Sequence, residues 1–337
     1  MDSKEERQLL EKGTTDWFRG IAVVMVVLSH YAEWWTWFVP TEGTAETFRF
    51  ALARLGPYGV DIFLLFSGYA MVKSLGQNRM SWNFIWKRIK NVYIPYLLVV
   101  GIIEVISGGF TSVPDFVNFI IGHDYWYMAV LFAFYIAFIL IWGILRNKTA
   151  RVVLISLFAY FFSRFLYKEG MNDFWYISNI AFVFGIIAAE YETVFKKISK
   201  KAGWIFITLM FMGMLFVVRF GLENIVGVEL DEIQIRNEII AAVIWTLFIL
   251  FLGAKWNIKE KVGAFLGKQS LYIYLTHTFI FMSCVNAMEA EFGIRFAVSA
   301  ILTIFVSVIC NLIIGKILNK NYNSGKKKDG LSKGIVL

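Results

Sequence analysis

Apolar residues run along this chain in blocks separated by short charged links. A block of about 20 apolar residues is what an α-helix needs to cross the hydrocarbon core of a bilayer. The pattern predicts spans near residues 16–38, 59–75, 92–107, 125–145, 151–167, 174–190, 203–219, 238–254, 269–288 and 295–317. The expected fold class is all-α: a polytopic integral membrane helical bundle of about ten transmembrane helices. Residues 1–15 are expected to form a cytoplasmic N-terminal tail, 16–318 one membrane domain, and 319–337 a Lys-rich cytoplasmic tail. The first span follows a short charged segment and lacks a small-residue cleavage site, so it reads as a retained span.

That first span carries polar groups that lipid would not tolerate. Asp16, Arg19, His30 and Glu33 lie in it. At about 100° per residue, His30 falls about 20° round the helix from Arg19 and Glu33 about 40° to the other side. The four groups share one stripe. Arg19 and His30 are separated along the axis by roughly 16 Å. A polar stripe inside a span faces a protein interior or a cavity, and it marks a functional site.

Charge then sets orientation. Of the 33 Lys and Arg residues, 26 fall in the tails and the even-numbered links. By the positive-inside rule both termini are cytoplasmic (N-in/C-in). Arg19, Lys87, Arg88 and Lys90 then collect at the inner face. His30, Glu33, Asp61 and His123 collect towards the outer half, and His277 lies near mid-depth. The net charge of +8 follows from this topology and requires no nucleic-acid partner. The Lys-rich end suits anionic membrane lipid. The chain is 58% hydrophobic and 17% charged, with mean hydropathy +0.62, which excludes an ordinary soluble domain. Cys284 and Cys310 form no disulfide framework, and three histidines are too few and scattered for a metal cluster, so no metal is expected.

Five segments together resemble the acyltransferase-3 family of membrane acyltransferases. Asp16-Trp17-Phe18-Arg19-Gly20-Ile21-Ala22 through His30 is similar to its first-span signature, an arginine and a histidine with ten residues between. Gly59-Val60-Asp61-Ile62-Phe63-Leu64-Leu65-Phe66-Ser67-Gly68-Tyr69 is similar to the second-span signature. Phe84 to Pro95 resembles the basic loop that ends in proline, with Asn91 where a second arginine is common. His123 to Tyr127, with Tyr135 beyond, resembles the tryptophan-bearing outer segment, and Gly267 to His277 the late-span motif.

The resemblance implies transfer of an acyl group, usually acetyl from acetyl-coenzyme A, to a hydroxyl of a cell-surface or lipid-linked glycan. The expected protein is a multi-pass plasma-membrane O-acetyltransferase. It needs no tightly bound cofactor. Acyl-coenzyme A is its donor, an extracytoplasmic carbohydrate or lipid-linked sugar its acceptor, and glycan-assembly proteins are candidate partners. No extracytoplasmic hydrolase-like domain is expected after the tenth span. Arg19, Lys87, Arg88 and Lys90 would hold the donor phosphates. His30 would act as general base or carry the acyl group as an acyl-imidazole. Glu33 or Asp61 would orient that imidazole, and His277 joins the catalytic candidates. His123, Trp126, Tyr127 and Tyr274 would bind the acceptor.

Each role has a plainer counterpart. Arg19 would serve as an interfacial anchor, and Asp61 as a favourable charge in the first turn of its helix. Trp126 and Tyr127 would be interfacial aromatics. His277, Tyr274 and Ser270 would form a polar helix contact, and Ser67-Gly68 a close packing point. A different class, a glycan or proton-coupled membrane transporter, would use the same His and Glu residues as a proton relay. The absence of paired halves and matched broken helices argues against it.

Overall fold

The computed structural model describes residues 8–38, 43–76, 80–221, 232–256, 258 and 260–331, and among them every regular element is helical. In order these are α1 Lys12–Phe38, α2 Gly43–Ala53, α3 Leu55–Leu75, α4 Trp82–Arg88, α5 Ile94–Ser107, α6 Val113–Ile121 and α7 Trp126–Ile144. There follow α8 Lys148–Lys168, α9 Asn179–Glu190, α10 Glu192–Lys201, α11 Trp204–Gly221, α12 Glu232–Lys255, α13 Lys261–Ala287 and α14 Phe292–Leu331.

Among the described residues, seven helical stretches are long and apolar enough to cross a membrane: Glu46–Leu75, Trp82–Ser107, Trp126–Ile144, Lys148–Lys168, Asp173–Glu190, Gln234–Lys255 and Phe292–Leu318. The other three expected spans also fall on helices. Two of these, α1 and α13, are 27 residues long but too polar to join the seven. The third, α11, contributes the shorter apolar stretch Trp204–Met214.

The chain divides into two compact units, each discontinuous in sequence. One comprises Met1–Ile85 and Ile121–Lys268, the other Trp86–Ile120 and Gln269–Leu337. The first is organised around α3. This helix is apolar on all sides and buried along most of its length, as a helix without a polar face must be. Small residues let its neighbours approach. A methyl group on Gly59 would come within 2.7 Å of the Ala22 carbonyl oxygen of α1, and Gly56 faces Ser29. On the side of α9, added methyls on Gly68 and Gly185 would collide with the Phe182 and Leu65 carbonyls. The expected packing role of Gly68 is therefore observed. These are small-residue contacts of the kind that replace hydrophobic driving force between helices in lipid.

In the second unit, α14 is apolar outside and polar inside. Ile301, Leu302, Phe305, Leu312 and Ile313 are exposed, whereas Ser299, Thr303 and Ser307 are buried. That inversion of a soluble helix is the arrangement a lipid environment favours. Asn311 of α14 donates through Nδ2 to Gln269 Oε1 at 2.9 Å, a polar link to α13.

The expected basic loop is helical. The helix continues from α4 through a π-helical turn, Ile89–Tyr93, into α5. Pro95 lies in the first turn of α5 and has no N–H to offer Asn91. The Ile94 N–H bonds the Ile89 carbonyl five residues back, which widens the turn. Lys87, Arg88 and Lys90 therefore stand on or beside a π-turn, with Lys87 exposed and the other two half-buried.

Candidate active site

The Arg19 end of α1 is fixed by α13. Added methyls on Gly20 and Gly267 would overlap the Gly263 and Asp16 carbonyls, respectively. Gly263 and Gly267 are the small residues of a Gly-x-x-x-Gly step, whose role is to let backbones touch. Glu260 starts α13 as its cap. Its carboxylate accepts the Val262 N–H at 2.5 Å and the Gly263 N–H at 2.6 Å, and these bonds hold its carboxyl below the usual range. On α1 opposite this contact, Arg19 lies 3.8 Å from buried Asp16, and its side chain remains 31% exposed. That exposure leaves the guanidinium available to a ligand.

His30 sits eleven residues further along the same helix, half-buried. Its ring stacks on Trp34 with centroids 5.6 Å apart and 21° between planes. Ser29 beside it donates to the Ala53 carbonyl at 2.5 Å. This bond joins α1 to the end of α2 and steadies the His30 end. Glu33 follows one turn on and is exposed.

Asp61 is not where the first-turn reading puts it. With α3 starting at Leu55, Asp61 falls in the second turn and is no terminal charge. It also faces away from His30's helix. Gly59 meets α1, and Asp61 stands two residues on, about 200° round the helix. The groups whose charge or hydroxyl acts on Asp61 are Ser178 and Glu238. Sequence reasoning did not find Glu238, nor Arg54, which pairs with it at 3.0 Å. Arg54 in turn acts on Asp173, and Asp173 on Glu33. A run of carboxylates around one arginine thus extends from Asp61 to the turn of α1 beyond His30. No single-chain signal would reveal it, because its members come from α1, α3, α12 and the turn before α9.

Aromatic side chains adjoin this run. Trp175 lies 5.4 Å from the His123 ring and 6.5 Å from Trp126, and Phe174 lies 5.1 Å from Trp126. Phe174 and Trp175 belong to the 3-10 turn Asp173–Trp175, so one short turn supplies both an acid and two rings. His123 and Trp126 therefore come together as expected. Tyr127 stays with them, its ring edge-on to that of Trp126 at 6.3 Å. The same ring also reaches Phe63 at 6.0 Å, and Ser67 and the charge of Arg19 act on its hydroxyl. Tyr127 thus stands between the aromatic group and the Arg19 end of α1.

The remaining candidates belong to the second unit. His277 is buried, and its Nδ1 lies 2.8 Å from the Tyr274 carbonyl and 3.2 Å from that of Ile273. Donation there makes Nδ1 the protonated nitrogen and leaves Nε2, 3.4 Å from the Thr278 hydroxyl, as an acceptor. Tyr274, also buried, lies with its ring 6.0 Å from that of His277. These bonds lie within α13 itself. Lys87, Arg88 and Lys90 are in this unit too. No group of three His, Cys, Asp or Glu side chains suited to a metal occurs among the described residues.

The seven apolar stretches mark a multi-pass membrane protein, and a further helix, α1, carries an arginine and a histidine on one face. A family model described as an acyltransferase domain matches residues 14–315. The chain belongs to the acyltransferase-3 family, and it is a membrane acyltransferase. Searches of curated proteins and of solved structures found no match.

Proposed function

We propose that this protein moves an acetyl group from acetyl-coenzyme A, supplied from the cytosol, to a hydroxyl of a cell-surface or lipid-linked glycan at the plasma membrane. The observation that carries this reading is the α1 stripe. It sets a solvent-reached arginine and a ring-stacked histidine on one helix, roughly 16 Å apart along the axis. The histidine end adjoins acids and aromatic rings, as a sugar site would, and the arginine end offers a charge for a donor phosphate.

In the proposed reaction His30 takes the proton of the acceptor hydroxyl, the oxygen attacks the thioester carbonyl, and the C–S bond breaks. The coenzyme leaves as thiolate and takes a proton to become the free thiol. The path through an acyl-imidazole splits the same exchange into two steps. Arg19 holds the donor. The Tyr127 hydroxyl serves the donor side. Trp126 and Trp175 stack on the sugar, and Glu33 orients or stabilises the His30 imidazolium. The test is release of free thiol from acetyl-coenzyme A by purified protein in liposomes. Release that depends on added glycan, with the acetyl group recovered on a sugar oxygen by mass spectrometry, supports the reading. Glycan transport without thiol release overturns it in favour of an exporter.

A further inference from the structure

The seam between α3 and α12, inside the first unit, encloses polar groups whose hydrogen-bonding capacity is unspent. Two links close it. Arg54, just ahead of α3, pairs with Glu238 of α12 at 3.0 Å, and Trp245 Nε1 of α12 donates to the Tyr58 carbonyl at 2.9 Å. Within lie Tyr58, 6% exposed, and Asp61, 1% exposed. The Tyr58 hydroxyl and both Asp61 carboxylate oxygens have no hydrogen-bond partner among the described residues. The Ser178 hydroxyl acts on Asp61 as a hydrogen-bond donor but outside full bonding geometry, and it also lies 3.4 Å from the Pro57 carbonyl. Buried polar groups are almost always bonded, and an exception calls for an explanation.

The chemistry of the orphaned atoms defines what would complete them. A carboxylate only accepts, so Asp61 needs donors; a phenol both donates and accepts. Adjacent hydroxyls on a sugar ring offer that combination. Charge narrows the class. Glu238 and Asp61 both act on Tyr58, Asp173 acts on Glu238, and Arg54 is the cation acting on Tyr58, Asp173 and Glu238. Carboxylates outnumber the guanidinium, so an acidic sugar would meet like charge, which costs binding.

We infer that the α3–α12 seam reads the acceptor's hydroxyls and takes a hydroxyl-rich ring that carries no negative charge. The inference rests on the acyl transfer to a glycan proposed above, and it names the class of acceptor. Arg54 has 24% of its side chain exposed and is the solvent-reached side of the closing pair. Parting that pair opens Tyr58 and Asp61, and binding replaces unsatisfied groups with satisfied ones. The aromatic group around Trp126 and Trp175 adjoins Asp173 and supplies a face for the same ring.

The test uses the full-length protein in liposomes, labelled acetyl-coenzyme A, and two acceptors of equal length, a neutral hexose oligosaccharide and a uronic-acid oligosaccharide. Wild type should use the neutral acceptor at least about tenfold more efficiently. Tyr58→Phe keeps the ring and removes the hydroxyl. It should raise the KM for the acceptor about fivefold and leave the KM for acetyl-coenzyme A unmoved. Asp61→Asn should shift the same acceptor constant. Glu238→Gln removes a negative charge but keeps an acceptor oxygen, so it should raise use of the uronate relative to the neutral sugar. A merely structural seam would not change that ratio. Equal or preferred use of the uronate by wild type overturns the inference, as does an unmoved acceptor KM in folded Tyr58→Phe and Asp61→Asn. Thiol release with no sugar acylated by wild type sinks the glycan reading itself, and this inference with it.

Discussion

Gly267 of α13 rests directly on the Asp16 carbonyl of α1, with no room between them for a methyl group. That contact lies three residues before Arg19, so it sets the backbone that presents the proposed donor arginine. Gly267→Ala must push the helices apart. Such overpacking costs about 1–3 kcal/mol. Gly213 of α11 has nothing within 4 Å of an added methyl and serves as the control. Thermal melting in detergent should show Gly267→Ala clearly destabilised and Gly213→Ala at or above wild type. Equal melting of both variants would remove the contact from any structural role.

Arg19 is expected to bind the donor. Arg19→Ala should weaken acetyl-coenzyme A binding roughly 10-fold or more, the loss of one charge-assisted hydrogen bond. Arg19→Lys should recover only part of this, because a point charge cannot replace the planar fork. Equilibrium binding of labelled donor to both variants measures the effect. Unchanged affinity in Arg19→Ala returns Arg19 to the role of interfacial anchor.

His30 is expected to handle the proton. His30→Ala and His30→Gln should each lower transfer per folded molecule by about 10² or more. Glutamine can hydrogen-bond but cannot take the proton. A packing histidine predicts the reverse order, with Gln active and Ala poorly folded. Substantial turnover by His30→Gln defeats the general-base and acyl-imidazole mechanisms together.

Glu192, at the start of α10, gathers several donors. Its carboxylate accepts Lys73 Nζ at 2.6 Å, the Tyr69 hydroxyl at 3.2 Å and the Leu9 N–H. Burial alone would raise its carboxyl. The Lys73 bond, the Leu9 N–H and the charges of Lys73 and Lys196 outweigh that, and the net shift is below 4.5. A group lowered in the folded state stabilises above its unfolded value, and that contribution disappears as pH falls through the folded one. Lys73→Met should therefore melt earlier than wild type near pH 7, by about 1–2 kcal/mol, and the gap should close as the pH falls through the lowered Glu192 titration. A gap independent of pH would assign the effect to lost packing of the lysine stem.

The predicted spans all fall on helices because length and apolarity are local properties, written in consecutive residues. The α1 stripe was legible for the same reason: α-helical geometry alone aligns Arg19 with His30. The neighbours of that stripe were not. Asp61 reads as a first-turn charge or a partner for His30 until helix bounds and a close contact at Gly59 turn it towards α9 and α12. Tyr127 reads as a companion of Trp126, which its ring does meet, but only the packing shows that the same ring reaches Phe63 of α3. Glu238 looks like an ordinary carboxylate near the start of a span, and only Arg54, 184 positions earlier, gives it meaning. A chain states which residues share a helix face. Which faces meet depends on where glycines let backbones touch, and that is a property of helix pairs that tertiary packing alone decides.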